Sequence, residues 1–145
     1  MSASARARML AGAATVVVIA TVIAGLIAIG PPGLQRERKL DKRRVQDLTT
    51  LTRLLNVYWL AHLQIPPDLD TLAKSPGVRV PIDPQTGGNY EYITTGEKTY
   101  RLCAVFSQDT SAEPRADYFP IGEKWLHGAG RTCFDRDIDK VSEYD

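Results

Sequence analysis

Residues Leu10–Ile29 read LAGAATVVVIATVIAGLIAI and contain no charged residue and no Asn, Gln or Pro. At an α-helical rise of about 1.5 Å per residue, these 20 residues span roughly 30 Å, the thickness of the hydrocarbon core of a bilayer. Thr15 and Thr21 are the polar side chains of the stretch, and each can donate its hydroxyl hydrogen bond to the preceding turn. The stretch therefore predicts one transmembrane helix.

Two other interpretations of this apolar stretch are less favoured. A cleaved signal peptide has a shorter apolar region and a small-residue cleavage site, whereas Gly30, Pro31 and Pro32 follow this one. The buried helix of a soluble protein is disfavoured because the remaining chain has too little apolar mass to surround it. We expect a retained anchor, followed by a soluble part of about 110 residues that forms one small domain.

Small residues recur on the predicted anchor. Ala20, Ala24 and Ala28 are spaced four residues apart, with Thr21 and Gly25 beside them. Small side chains in register let a second helix approach closely, so this stripe is a candidate packing surface for another membrane subunit. The alternative is that Ala and Gly are common in membrane helices in general.

A cluster of basic residues follows the anchor: Arg36, Arg38, Lys39, Lys42, Arg43 and Arg44, interrupted by Glu37 and Asp41. Such a cluster can bind anionic lipid head groups, with Arg36, Lys39 and Arg43 as the candidate contacts. The alternative is a solvated helix with intrahelical pairs Asp41–Arg44 and Arg43–Asp47. The formal net charge of +1 provides no overall attraction for nucleic acid.

The basic residues and the cysteines predict opposite sides of the membrane for the domain. Arg6 and Arg8 precede the anchor and the larger basic cluster follows it, so the positive-inside rule keeps the domain in the cytoplasm. Cys103 and Cys133 are the only cysteines, and a disulfide between them would stabilise the domain by roughly 3–4 kcal/mol. The alternative is two buried free thiols. We favour a bridged, extracytoplasmic domain on a bacterial inner membrane.

The remaining pattern predicts an α+β fold, with a long amphipathic helix packed on a small antiparallel sheet. Leu48, Leu51, Leu55, Tyr58 and His62 recur at spacings of three and four, which indicates one apolar helix face. The expected later elements are a short helix at 68–73, strands at 89–93 and 99–107, and a last pair at 124–127 and 131–134. The expected segments are a tail (1–9), the transmembrane helix (10–29), a charged juxtamembrane linker or helix (30–47), the globular domain (48–135) and a charged tail (136–145).

This order of parts resembles the type IV pilins and type II secretion pseudopilins. The local similarity lies in Pro66-Pro67-Asp68-Leu69-Asp70-Thr71-Leu72, Asp83-Pro84, Gly88-Asn89-Tyr90-Glu91-Tyr92 and Tyr100-Arg101-Leu102. The resemblance implies the pilin fold and, as one functional hypothesis, a component of a secretion or pilus machine. The anchor departs from the family because it has neither a peptidase junction nor the Glu five residues into the mature helix, which puts polymerisation in doubt.

No motif of an enzyme is recognisable, and we expect neither catalysis nor a cofactor. His62 is interpreted as a residue at the edge of the core and His127 as a hydrogen-bonded turn residue. A zinc site from Cys103, His127 and Cys133 is disfavoured against the disulfide because the ligand spacing is wide. Asp83, Gln85 and Asn89 form a turn by composition, with a calcium site as the weaker alternative.

Tyr118, Phe119 and Trp125 follow a polar loop and are either exposed anchors for a partner or core residues. Together these patterns predict a non-enzymatic, single-pass subunit of a larger integral membrane complex, for example an energy-transducing one. Its partners would be other membrane subunits and lipids, with no nucleic acid and no small-molecule substrate. The pseudopilin-like component is the alternative.

Overall fold

The computed structural model describes residues 3–29, 31–110 and 125–143. The chain forms two compact units, Met1–Arg36 and Glu37–Asp145. Helix α1 runs from Ala3 to Ile29, and helix α2 runs from Pro32 to His62 across the boundary between the units. Pro32 suits the first position of α2 because its fixed backbone angle is already helical and its missing N–H has no partner to lose there.

The second unit adds a short helix and a sheet to the rest of α2. Helix α3 spans Leu69–Ala73, and the carboxylate of Asp68 caps it by accepting a 2.7 Å hydrogen bond from the N–H of Thr71. The strands are β1 (Glu91–Thr94), β2 (Thr99–Phe106) and β3 (Gly130–Asp137), and a 3₁₀ helix (Ile138–Glu143) ends the described chain. The three strands pair antiparallel in the order β1-β2-β3. The predicted α+β class is confirmed.

The core lies between α2 and one face of the sheet. Val45, Leu48, Leu51 and Leu55 of α2 are completely buried, which confirms the predicted apolar helix face. Strand β2 contributes its alternate residues Tyr100, Leu102, Ala104 and Phe106 to the same cluster. Because side chains alternate across a strand, Arg101, Cys103 and Val105 lie on the opposite face of the sheet.

The predicted helix face extended too far toward the end of α2. His62 is exposed, and its ring stacks on Tyr58 with the centroids 4.1 Å apart. The helix ends at His62 because Leu63 adopts a left-handed backbone conformation with φ of 55°. His62 is therefore a surface residue and not part of the core edge.

The structure differs from the expected segments at both ends of the domain. Buried residues on α2 begin at Asp41, within the segment expected to be a charged juxtamembrane linker or helix outside the globular domain. The strand expected at 124–127 is not formed by its described residues, 125–127. Strand β3 continues through Asp137 into Ile138, which is buried in the core. The segment from residue 136, expected as a peripheral tail, therefore contributes to both the sheet and the core.

Candidate functional site

The first candidate surface is the apolar exterior of α1. The exposed fraction of its large apolar side chains runs from 51% at Ile23 to 76% at Ile27. The hydroxyls of Thr15 and Thr21 donate to Ala11 and Val17 one turn earlier, as the sequence predicted, so neither needs water. This is the one helix in the described chain that is long and apolar enough to cross a membrane.

The small-residue stripe lies on this exposed helix. Ala20 and Ala24 are exposed, and a side chain added at Gly25 would meet no atom within 4 Å. Ala28 belongs to α1, but its side chain lies outside the described part of the chain. The surface is open for a second helix to pack on, and this role remains a prediction.

The second candidate is a group of buried charges, Asp41, Arg44 and Asp83, that joins α2 to two distant segments. The carboxylate of Asp41 accepts hydrogen bonds from the backbone N–H groups of Ser107 (3.0 Å) and Gln108 (2.8 Å), just beyond β2. It also accepts a 2.9 Å bond from Nη1 of Arg44. The predicted Asp41–Arg44 pair exists, but it is buried and not solvated. Asp41 therefore holds the end of β2 against α2.

Arg44 connects the same cluster to the turn at residues 83–86. Its Nε donates to Oδ2 of Asp83 at 2.7 Å, and its Nη2 donates to the side-chain oxygen of Gln85 at 2.6 Å. Burial alone would lower the pKa of Arg44, but the hydrogen bonds to Asp83 and Asp41 outweigh burial and raise it. The guanidinium thus remains charged inside the domain.

Asp83 forms the turn that the sequence predicted. Its Oδ1 accepts the backbone N–H groups of Gln85 and Thr86 at 2.8 and 2.9 Å, the geometry of an Asx turn. Burial raises the pKa of Asp83, whereas the bonds from Arg44, Thr86 and Gln85 lower it, and the net direction is downward. The positive charge beside this carboxylate comes from Arg44, so the geometry supports the turn and not the calcium alternative.

A second buried carboxylate of α2, Asp47, lies six residues after Asp41. It accepts a 2.9 Å hydrogen bond from the hydroxyl of Tyr90 and pairs with Nε of Arg43 at 3.2 Å, as predicted for the Arg43–Asp47 pair. Burial and then the bond to Asp47 raise the pKa of Tyr90, so its hydroxyl stays protonated. Arg36, Lys39 and Arg43 are exposed, and their contact with lipid head groups remains a prediction.

The third candidate is the outer face of the sheet, the face opposite the core. Cys103 and Cys133 occupy directly opposed positions of β2 and β3 and form the disulfide. This confirms the predicted bridge and rules out both free thiols and thiolate ligands for zinc. Two ion pairs flank it, with nitrogen–oxygen distances of 2.7 Å: Arg131–Glu91 and Arg101–Asp135.

The aromatic residues after the polar loop divide into two groups. Tyr118 and Phe119 lie outside the described residues, so their proposed partner contact stays a prediction. Trp125 is 8% exposed and packs edge-on against Phe134 with the centroids 4.9 Å apart. For Trp125 the structure shows core packing, not an exposed anchor for a partner.

His127 is more deeply buried than its turn assignment suggested. Its ring stacks on Phe106 with a centroid distance of 3.7 Å, and its Nδ1 is 3.1 Å from the carbonyl oxygen of Gln108. Burial lowers the pKa of His127 against the opposing effect of its hydrogen bonds and of Asp41. The side chain is part of the core, where it supports the segment after β2.

The comparisons with known proteins give no relative. No protein-family model matches the chain, and no curated protein or solved structure is significantly similar to it. The likeness to pilins therefore rests on the layout alone, a long N-terminal helix followed by a three-stranded antiparallel sheet.

Proposed function

We propose that this protein is a non-enzymatic, single-pass subunit that stabilises a larger integral membrane complex. The observation that carries the proposal is α1, whose apolar side chains are exposed along the helix and include the Ala20/Ala24 stripe. Apolar side chains in this number are covered by lipid, by a neighbouring helix or by both. The domain would then be the part of the subunit that contacts the aqueous face of its partner.

The disulfide supports an extracytoplasmic domain in this proposal. Bridges between cysteines persist in oxidising compartments and are rare in the bacterial cytoplasm. The experiment is to alkylate freshly isolated protein and compare intact masses with and without reduction. Bridged Cys103 and Cys133 would escape alkylation until they are reduced. Alkylation of both residues before reduction would place the domain in the cytoplasm, as the basic cluster after the anchor suggests.

Two substitutions on α1 test whether the small-residue stripe binds another membrane protein. Ala24→Leu enlarges a residue of the stripe, while Val22→Leu changes the opposite side of the helix, since two residues correspond to about 200° of rotation. After extraction in mild detergent, we expect Ala24→Leu to lose a membrane protein that co-purifies with the wild type and with Val22→Leu. A wild-type protein recovered only as a monomer would contradict the proposal.

The second candidate function is a pseudopilin-like component of a secretion or pilus machine. It is favoured by the succession of an exposed apolar helix, a second long helix and a three-stranded antiparallel sheet. Intact mass of protein isolated from its native membrane separates the two candidates. Loss of an N-terminal leader supports the pseudopilin function, and an intact end at Met1 or Ser2 argues against it.

A further inference from the structure

The outer face of the sheet combines a disulfide with an arginine directed at one of its sulfurs. Nη2 of Arg131 lies 3.5 Å from Sγ of Cys103. We propose that the disulfide is a thiol–disulfide exchange site, at which an external thiolate attacks Cys133 and Cys103 leaves as a thiolate stabilised by Arg131. The chemical class of the reaction partner is a dithiol, such as a dithiol protein or a small dithiol reductant.

The exposure of the two cysteines determines which sulfur an external thiolate attacks. Cys103 is 2% exposed, in the middle strand, whereas Cys133 lies on β3 and is partly exposed. Arg131 stands opposite Val105, and its side chain crosses β2 to reach Glu91 on β1. It therefore passes over Cys103, so an incoming thiolate meets Sγ of Cys133 first.

The position of Arg131 is fixed by Glu91. The guanidinium donates two hydrogen bonds to this carboxylate, from Nε at 2.9 Å and from Nη2 at 2.7 Å. A positive charge close to a cysteine lowers its thiol pKa and makes its thiolate a better leaving group. Glu91 opposes this effect, but the polar group that contacts the sulfur of Cys103 is a guanidinium N–H, which can donate to a developing thiolate.

The dithiol supplies the two electrons that reduce the Cys103–Cys133 disulfide. One thiolate of the dithiol forms a bond to Sγ of Cys133, the Cys103–Cys133 bond breaks, and its electron pair goes to Sγ of Cys103. The second thiolate of the dithiol then displaces Cys133 from the mixed disulfide. The products are the oxidised dithiol and two cysteine thiols, which take their protons from water.

The chain offers a matched control for Arg131. Arg101 lies on the same outer face, and its Nε and Nη2 also both donate to one carboxylate, that of Asp135. The contact with a cysteine sulfur is made by Arg131. Full-length protein in detergent micelles would be reduced with dithiothreitol, and the rate of thiol release compared for wild type, Arg131→Gln and Arg101→Gln. A leaving thiol of lower pKa departs faster, so these rates compare how well each variant stabilises the departing thiolate of Cys103.

We expect Arg131→Gln to slow reduction about threefold or more, since it removes the positive charge beside Cys103 and leaves Glu91 without its cation there. Arg101→Gln should reduce at the wild-type rate. Equal rates for the two variants would overturn the proposal. A second measurement needs no variant: wild-type protein treated briefly with reduced glutathione should carry glutathione on Cys133, and a mixed disulfide on Cys103 would also overturn it.

Discussion

The guanidinium of Arg44 bonds to the carboxylate of Asp83 at 2.7 Å, although the two residues are 39 positions apart. This contact and the bond from Arg44 to Asp41 place a charged network at the edge of the core, between α2 and the turn before β1. Breaking a buried ion pair by removing one partner is more harmful than losing an exposed pair, because it leaves charge without compensation. The network therefore provides the most direct test of the fold.

Arg44→Met should lower the free energy of unfolding by about 3–5 kcal/mol, because Asp41 and Asp83 would both lose their cation. The control is Arg53→Met, on the exposed side of the same helix. It should change the free energy of unfolding by less than about 0.5 kcal/mol. The measurement is denaturant unfolding of the full-length protein in detergent, followed by circular dichroism. Similar losses in the two variants would contradict a structural role for the network.

The lowered pKa of Asp83 predicts a specific dependence on acidity. A carboxyl group whose pKa falls on folding stabilises the native state above its unfolded pKa, near 3.8, and this contribution disappears as pH falls through the folded pKa. Asp83→Asn mimics the protonated side chain at every pH. The difference in unfolding free energy between wild type and this variant should therefore shrink as the pH is lowered from 7 toward 2. A difference that is constant with pH would disprove the assignment.

Tyr90→Phe should destabilise the domain by about 1.5–3 kcal/mol, since its hydroxyl donates to the buried carboxylate of Asp47. Tyr92→Phe is a matched control, because the hydroxyl of Tyr92 donates at 2.8 Å to the neutral carbonyl of Pro66. A hydrogen bond to a neutral acceptor contributes about 0.5–1.5 kcal/mol. Unfolding midpoints of the two variants, measured side by side, should rank Tyr90→Phe as the less stable.

His127 predicts a loss of stability in mild acid. Its pKa is lowered by burial, so below the unfolded value of 6.5 the unfolded chain binds a proton more readily than the folded one. We expect the unfolding free energy of the wild type to fall as pH decreases from 7 to 5. His127→Gln should show a smaller decrease, while substitution of the exposed His62 by Gln should leave the decrease intact.

Local periodicity was sufficient to predict the elements that form the core. The spacing of Leu48, Leu51 and Leu55 identified the buried face of α2, and the alternation from Tyr100 to Phe106 identified the inner face of β2. Both patterns arise from the geometry of a single helix or strand, so they need no knowledge of what lies opposite. The short helix at 68–73 and the turn at Asp83 were also predicted, from local composition, although the capping role of Asp68 was not.

The charged network could not be located by such local rules. The pair Asp41–Arg44 was recognisable from its spacing, but its burial depends on Asp83 and on backbone N–H groups at residues 107 and 108. These partners are far away in the sequence and were assigned to other elements. A run of charges has the same sequence pattern whether water, lipid head groups or a folded segment surrounds it, so the burial of this pair was not predicted.

The bonds around Asp41 also have a mechanical consequence. Asp41 precedes the fully buried apolar residues of α2, so a pull on this helix from its N-terminal side would reach Asp41 before the apolar core. There it is shared among Ser107, Gln108 and Arg44, and Arg44 passes part of it to Asp83. Bonds loaded in parallel must break together, whereas bonds loaded in series break one at a time. The network thus acts as a clamp that holds the first buried turns of α2 to the end of β2 and to the turn at Asp83.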